Sequence, residues 1–69
     1  MDVLTIKLNK RTMEQLERQI RKQTTEMENC LNSLDDVTCY ELIRTDDELI
    51  WIRFNHDEHM IEVIREEQS

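Results

Sequence analysis

Two histidines, His56 and His59, bracket two acids in the run His56-Asp57-Glu58-His59. Imidazole and carboxylate at such spacing are zinc-ligand types, but a structural zinc site takes about four ligands. Neither cysteine, Cys30 or Cys39, lies near the run in sequence. It reads as a polar turn with two exposed histidines, not a metal site. Carboxylates also come in doublets: Asp35/Asp36, Asp46/Asp47, Asp57/Glu58 and Glu66/Glu67. Acid–base catalysis needs such pairs in a shielded cleft whose environments push their pKa values apart. These doublets fall in apparent turns and near the end of the chain, where water screens them. Both histidines sit in one acidic loop, so no Ser-His-Asp arrangement stands out. The chain contains no glycine and no proline. Phosphate-cradling loops need glycine for close backbone approach, so Walker-type and Rossmann-type nucleotide sites are excluded. The expectation is a binding protein, not an enzyme, with no cofactor and no metal.

What remains is charge. The 69 residues carry a net charge of −7, with 38% hydrophobic and 36% charged residues. Residues 1–25 hold six basic side chains against three acids, whereas residues 26–69 hold thirteen acids against Arg44, Arg53 and Arg65. Such asymmetry in one small chain points to recognition of a polar partner. The length allows a single domain, 1–69, with a thin core, and small domains often gain stability by pairing; a homodimer is expected. No apolar run is long enough to span a membrane, and the opening Met1-Asp2-Val3-Leu4-Thr5 lacks the character of a signal peptide. Cys30 and Cys39 read as reduced thiols acting as small buried hydrophobes, which suits a cytoplasmic protein.

The elements that position these charges follow from periodicity. Residues 3–8 alternate as a half-buried strand, with Leu4, Ile6 and Leu8 on one face and Val3, Thr5 and Lys7 on the other. Asn9 is placed to cap a helix. Met13, Leu16, Ile20, Met27, Cys30 and Leu34 follow a 3-4 spacing, which predicts an amphipathic helix of roughly six turns ending near Leu34. Thr24 and Thr25 are its weak helix formers. Residues 38–44 and 48–54 read as strands around Asp46-Asp47. The second is apolar on both faces, which predicts cover on both sides, with a second subunit supplying one. The tail 59–65 fits a strand or a helix, and its β-branched residues favour the strand. The fold class is α+β, in the order β-α-β-β-β, with one long helix on a small antiparallel sheet. Trp51 and Tyr40 are interface anchors in one reading and core in another.

Acids at the strand ends and along the strands suggest rows of carboxylates that could occupy a basic groove in place of phosphates. The candidate contacts are Asp35, Asp36, Glu41, Asp46, Asp47, Glu48, Asp57, Glu58 and Glu62. In size, in the acidic balance of residues 26–69 and in its β-α-β-β pattern, the chain resembles small acidic host-takeover proteins of phages that mimic DNA. The particular likeness is to the Bacillus phage inhibitors of the nucleoid-associated protein HU. That resemblance implies a homodimer whose acidic surface occupies the DNA-binding cleft and arms of HU, and a place in the host nucleoid. The opening Leu4-Thr5-Ile6-Lys7-Leu8-Asn9-Lys10-Arg11-Thr12-Met13-Glu14-Gln15-Leu16 also resembles ribbon-helix-helix repressors and antitoxins, which implies Thr5 and Lys7 as base readers. The sequence departs from that family after the first helix, and its net charge opposes a polyanion. A third class is an adaptor that inhibits another host enzyme, such as RNA polymerase, through Trp51.

Overall fold

The computed structural model describes residues 2–24 and 37–67. It contains strand β1 (Asp2–Lys7), helix α1 (Lys10–Gln23), and strands β2 (Val37–Arg44), β3 (Glu48–Asn55) and β4 (Met60–Glu67). The four strands form one antiparallel sheet in the order β1-β4-β3-β2. The α+β class and the element order match the sequence reading, and the tail is a strand. No helix among the described residues is long and apolar enough to cross a membrane.

Asn9 caps α1, its Oδ1 accepting from the Thr12 amide at 2.8 Å. The helix buries Met13 and Glu17 and packs Leu16 and Ile20 against the sheet core of Tyr40, Ile52, Phe54 and Ile61. It is shorter than its periodicity predicts. Thr24 is extended, and both its amide and its hydroxyl donate to the Ile20 carbonyl, at 2.9 and 3.0 Å. The threonine side chain thus competes for the helix carbonyl and closes the last turn. The remainder of the expected helix, 25–34, lies outside the described residues.

Side chains replace glycine in both hairpin turns. Between β2 and β3, the Thr45 hydroxyl accepts from the amides of Asp47 and Glu48 at 3.3 and 3.1 Å. Between β3 and β4, Asn55 Oδ1 accepts from the amides of Asp57 and Glu58, both at 3.1 Å. The chain leaves this second turn through His59, whose φ of 55° lies in the left-handed region. That position normally falls to glycine, because a Cβ there crowds the carbonyl.

β3 is central, and its two apolar faces are both covered. Ile52 and Phe54 face the helix, while Leu49, with neighbouring Ile64 and Cys39, is buried on the opposite face. Trp51 and Arg53, on that same face, are half-buried. Cys39 is disulfide-bonded, which corrects the expectation of two reduced thiols; Cys30 lies outside the described residues. Exposed apolar side chains collect instead on β1 (Val3, Leu4, Ile6), with Ile43 on β2.

The strained turn is testable. His59→Gly should stabilise the fold by about 1 kcal/mol, read as a higher urea midpoint at unchanged slope; a lower midpoint would mean the imidazole contributes more than its backbone costs.

Candidate functional site

The strand order decides which carboxylates meet. The Asp46/Asp47 doublet lies in the β2–β3 turn and the Asp57/Glu58 doublet in the β3–β4 turn, at opposite ends of the eight-residue strand β3. At about 3.3 Å per residue they stand roughly 25 Å apart. They therefore do not form one row. Asp35 and Asp36 lie outside the described residues. The three strand glutamates do not form a bare anionic row either, because each meets an arginine. Glu41 accepts from Arg44 Nε at 2.7 Å, Glu62 from Arg53 Nη2 at 2.7 Å and Glu48 from Arg65 Nε at 2.8 Å.

One end of the sheet is nonetheless densely acidic. Asp46 and Asp47 occupy its turn, Glu48 pairs directly across from Glu67, Leu49 across from Glu66, and Asp2 across from Arg65. Asp2, Asp46, Asp47, Glu48, Glu66 and Glu67 thus come to a single end from three places in the sequence. Six carboxylates meet Arg65 there, while Arg44 is paired with Glu41, leaving five negative charges in excess among the described residues. Directly opposed like charges are unfavourable, and Arg65 relieves them. It binds Glu48 and lies 3.8 Å from Asp2 Oδ2. Its pKa is raised by the hydrogen bond and charge of Glu48, with smaller contributions from Asp2 and Glu67. The opposite end is mixed. The Leu8 amide donates to the His59 carbonyl at 3.0 Å, which brings the start of α1, with Lys7, Lys10 and Arg11, to the Asp57/Glu58 turn.

A second polar cluster lies between helix and sheet. Glu17 is only 7% exposed. Its Oε2 accepts from the Tyr40 hydroxyl at 3.0 Å and lies 3.3 Å from His56 Nε2 and 3.6 Å from Arg21 Nη2. Arg21 Nε and Nη2 both donate to the Tyr40 oxygen at 3.2 Å, so the phenol accepts from the cation and donates to the carboxylate. His56 Nε2 is also 3.4 Å from Thr38 Oγ1. A carboxylate favours the tautomer with its proton on Nε2, since a bare ring nitrogen would face another lone pair. Phe54 holds the rings together, edge-on to Tyr40 and stacked on His56, with centroids 5.7 and 6.4 Å away. Among the described residues, one surface groove is lined by Thr12, Gln15, Leu16, Arg18 and Gln19, and another by Gln23, Thr24, Glu41 and Leu42. The cluster clamps α1 to β2 and to the β3–β4 turn.

His56 is therefore not a freely exposed turn residue, and Tyr40, fully buried, is core. Among the described residues no three histidine, cysteine or acidic groups are placed to hold a metal ion. Trp51 is half-buried with the Arg53 guanidinium 5.7 Å from its ring centroid, a cation–π contact. β1 pairs with β4 of its own chain, and strands stand where a ribbon-helix-helix protein has its second helix. Sequence reasoning left Asp2, Glu66 and Glu67 out of the contact set. Glu66/Glu67 had been visible as a doublet, but nothing local tells which end of a sheet a doublet joins.

Burial raises the Tyr40 pKa above its ordinary value of 10.0; Arg21 opposes the rise and Glu17 adds to it. The folded state thus holds the phenolic proton more tightly than the unfolded chain. The stabilisation is fully present below pH ~10 and is lost as pH rises through the higher folded value. Tyr40 is the only tyrosine, so its tyrosinate absorbance reports this group alone. It should appear above the free-tyrosine pH and coincide with loss of fold. Tyr40→Phe, which strips Glu17 of a donor, should cost about 1–3 kcal/mol at neutral pH in a denaturant titration.

No protein-family model, no curated protein and no solved structure matches the chain.

Proposed function

We propose that this protein is a non-enzymatic inhibitor that docks the acidic end of its sheet on the DNA-binding surface of a basic bacterial protein and displaces DNA, with HU as the first target. The observation behind this reading is the convergence of Asp2, Asp46, Asp47, Glu48, Glu66 and Glu67 at one end of the sheet. These groups include three of the sequence-based candidates. Glu41 and Glu62 lie along the strands, opposite Trp51 and Arg53, and Asp57 and Glu58 stand at the other end.

The charge is oriented as well as dense. Lys10, Arg11, Arg18 and Lys22 are exposed on α1 beside the acid Glu14. Among the described residues, a cationic helix surface and an anionic sheet end set up a dipole, so a basic partner attracts one end and repels the other. Carboxylates docked in a phosphate-binding groove release the counterions that DNA would release there. Competition then needs no base-specific contact, because such grooves read backbone charge and shape. A nucleoid target places the protein in the cytoplasm, where thiols are kept reduced. Binding should therefore be measured with a reductant present as well as without.

The test is displacement of duplex DNA from purified HU at two salt concentrations. Release should weaken steeply as salt rises. Changing Asp46 and Asp47 to Asn, and Glu66 and Glu67 to Gln, should lower affinity at least about tenfold and flatten the salt dependence. Changing Asp57 to Asn and Glu58 to Gln should do little. A folded four-site variant that displaces DNA as well as the parent, or an equal loss from the Asp57/Glu58 pair, would refute the assignment of the acidic end. Absence of any displacement at low salt removes HU.

A further inference from the structure

We infer that the outer edge of β1 is a self-pairing edge, through which two copies of this chain join their sheets into one continuous antiparallel sheet of eight strands. This rests on the geometry of β1 and not on the function proposed above.

β1 is the terminal strand of the sheet, with β4 on one side, and every residue from Asp2 to Lys7 is exposed. An open edge offers a row of unpaired amides and carbonyls, and proteins ordinarily blunt it with bulges, prolines or charges. The other edge is treated in that way. β2 has a register shift between Glu41 and Ile43, a bulge that disrupts pairing. The β1–β4 pairing runs without a shift, and the strand has no proline. Its only charges are Asp2 and Lys7, one at each end.

The hydrogen-bonding parity is readable. The Leu8 amide donates to the His59 carbonyl, in register with the β1–β4 ladder. Backbone groups alternate sides along a strand, so Leu4 and Ile6 point theirs at β4, and Val3, Thr5 and Lys7 point theirs outward. A two-fold axis through the Thr5 positions sets Thr5 opposite Thr5 and Val3 opposite Lys7 of the second copy, using all the outward groups of these three residues. The same register sets Leu4 opposite Ile6 of the second copy, twice, on the helix-bearing face. A lone chain leaves both side chains in water, at 59% and 38% exposure. The neighbouring register, centred on Leu4, would instead set Asp2 against Ile6. A second copy therefore satisfies the backbone and the apolar pairs in one register, and that selects it as the occupant.

Sedimentation of the intact protein should give the mass of two chains, and Thr5→Pro should halve it. Thr5 donates no bond to β4, so proline there removes an outward donor and leaves the internal ladder intact. Amide exchange on the unaltered protein checks the same edge without a variant. The amides of Val3, Thr5 and Lys7 should be protected like those of Leu4 and Ile6. A monomeric parent protein overturns the proposal and leaves the edge to an extended segment of some other protein. A dimer whose Val3, Thr5 and Lys7 amides exchange freely, or a folded Thr5→Pro variant that stays dimeric, also overturns it, by placing the interface elsewhere.

Discussion

A carboxylate under a helix sets the terms for this fold. Removing Glu17 from water costs several kcal/mol unless partners replace the solvent, and the partners come from three elements. Tyr40 reaches it from β2, His56 from the β3–β4 turn and Arg21 from one helical turn further along α1. Satisfying one buried group therefore fixes the position of α1 against the far side of the sheet. Phe54 packs between the tyrosine and the histidine, so the polar clamp and the apolar core share a wall. The arrangement leaves no buried side-chain donor or acceptor unsatisfied among the described residues.

The clamp holds the helix toward β2, and β1 is left at the other margin of the sheet. That asymmetry links packing to the surfaces available for recognition. β1 keeps its apolar side chains in water because the core lies among β2, β3 and β4. The strand order also brings the start of β1, the β2–β3 turn and the end of β4 to one end. Charges that are well spread in sequence become neighbours there. The concentration has a cost in self-repulsion, which Arg65 offsets by bridging Glu48 and Asp2.

A chain without glycine makes its turns from side chains, and this gives the polar residues two tasks. Thr45 and Asn55 close the hairpins by accepting backbone amides, which leaves Asp46, Asp47, Asp57 and Glu58 projecting at the tips. Acids in the turns are thus a consequence of hairpin chemistry as well as a source of surface charge. His59 bears the remaining strain, and its neighbour His56 turns inward to Glu17. The pair that looked like a ligand set is divided between a backbone role and a contact with the buried Glu17.

Local sequence determined the elements. Alternation in Val3–Leu8 and in Glu48–Phe54, the Asn9 cap, and the polar breaks at Asp46-Asp47 and Asn55–Glu58 are all short-range signals, and each marks a real element or turn. Thr24 stands at the helix end, but apolar spacing continues past it in the sequence, and a periodic signal cannot show where a hydroxyl closes the ladder. Tertiary structure alone decided the order β1-β4-β3-β2, and with it which acids share an end and which meet arginines. Glu17 and Tyr40 are 23 residues apart, and no spacing rule joins a helix carboxylate to a strand phenol. Pattern reports what a residue does to its own segment. Which segments meet is set by burying one core in common, and that depends on the whole chain at once.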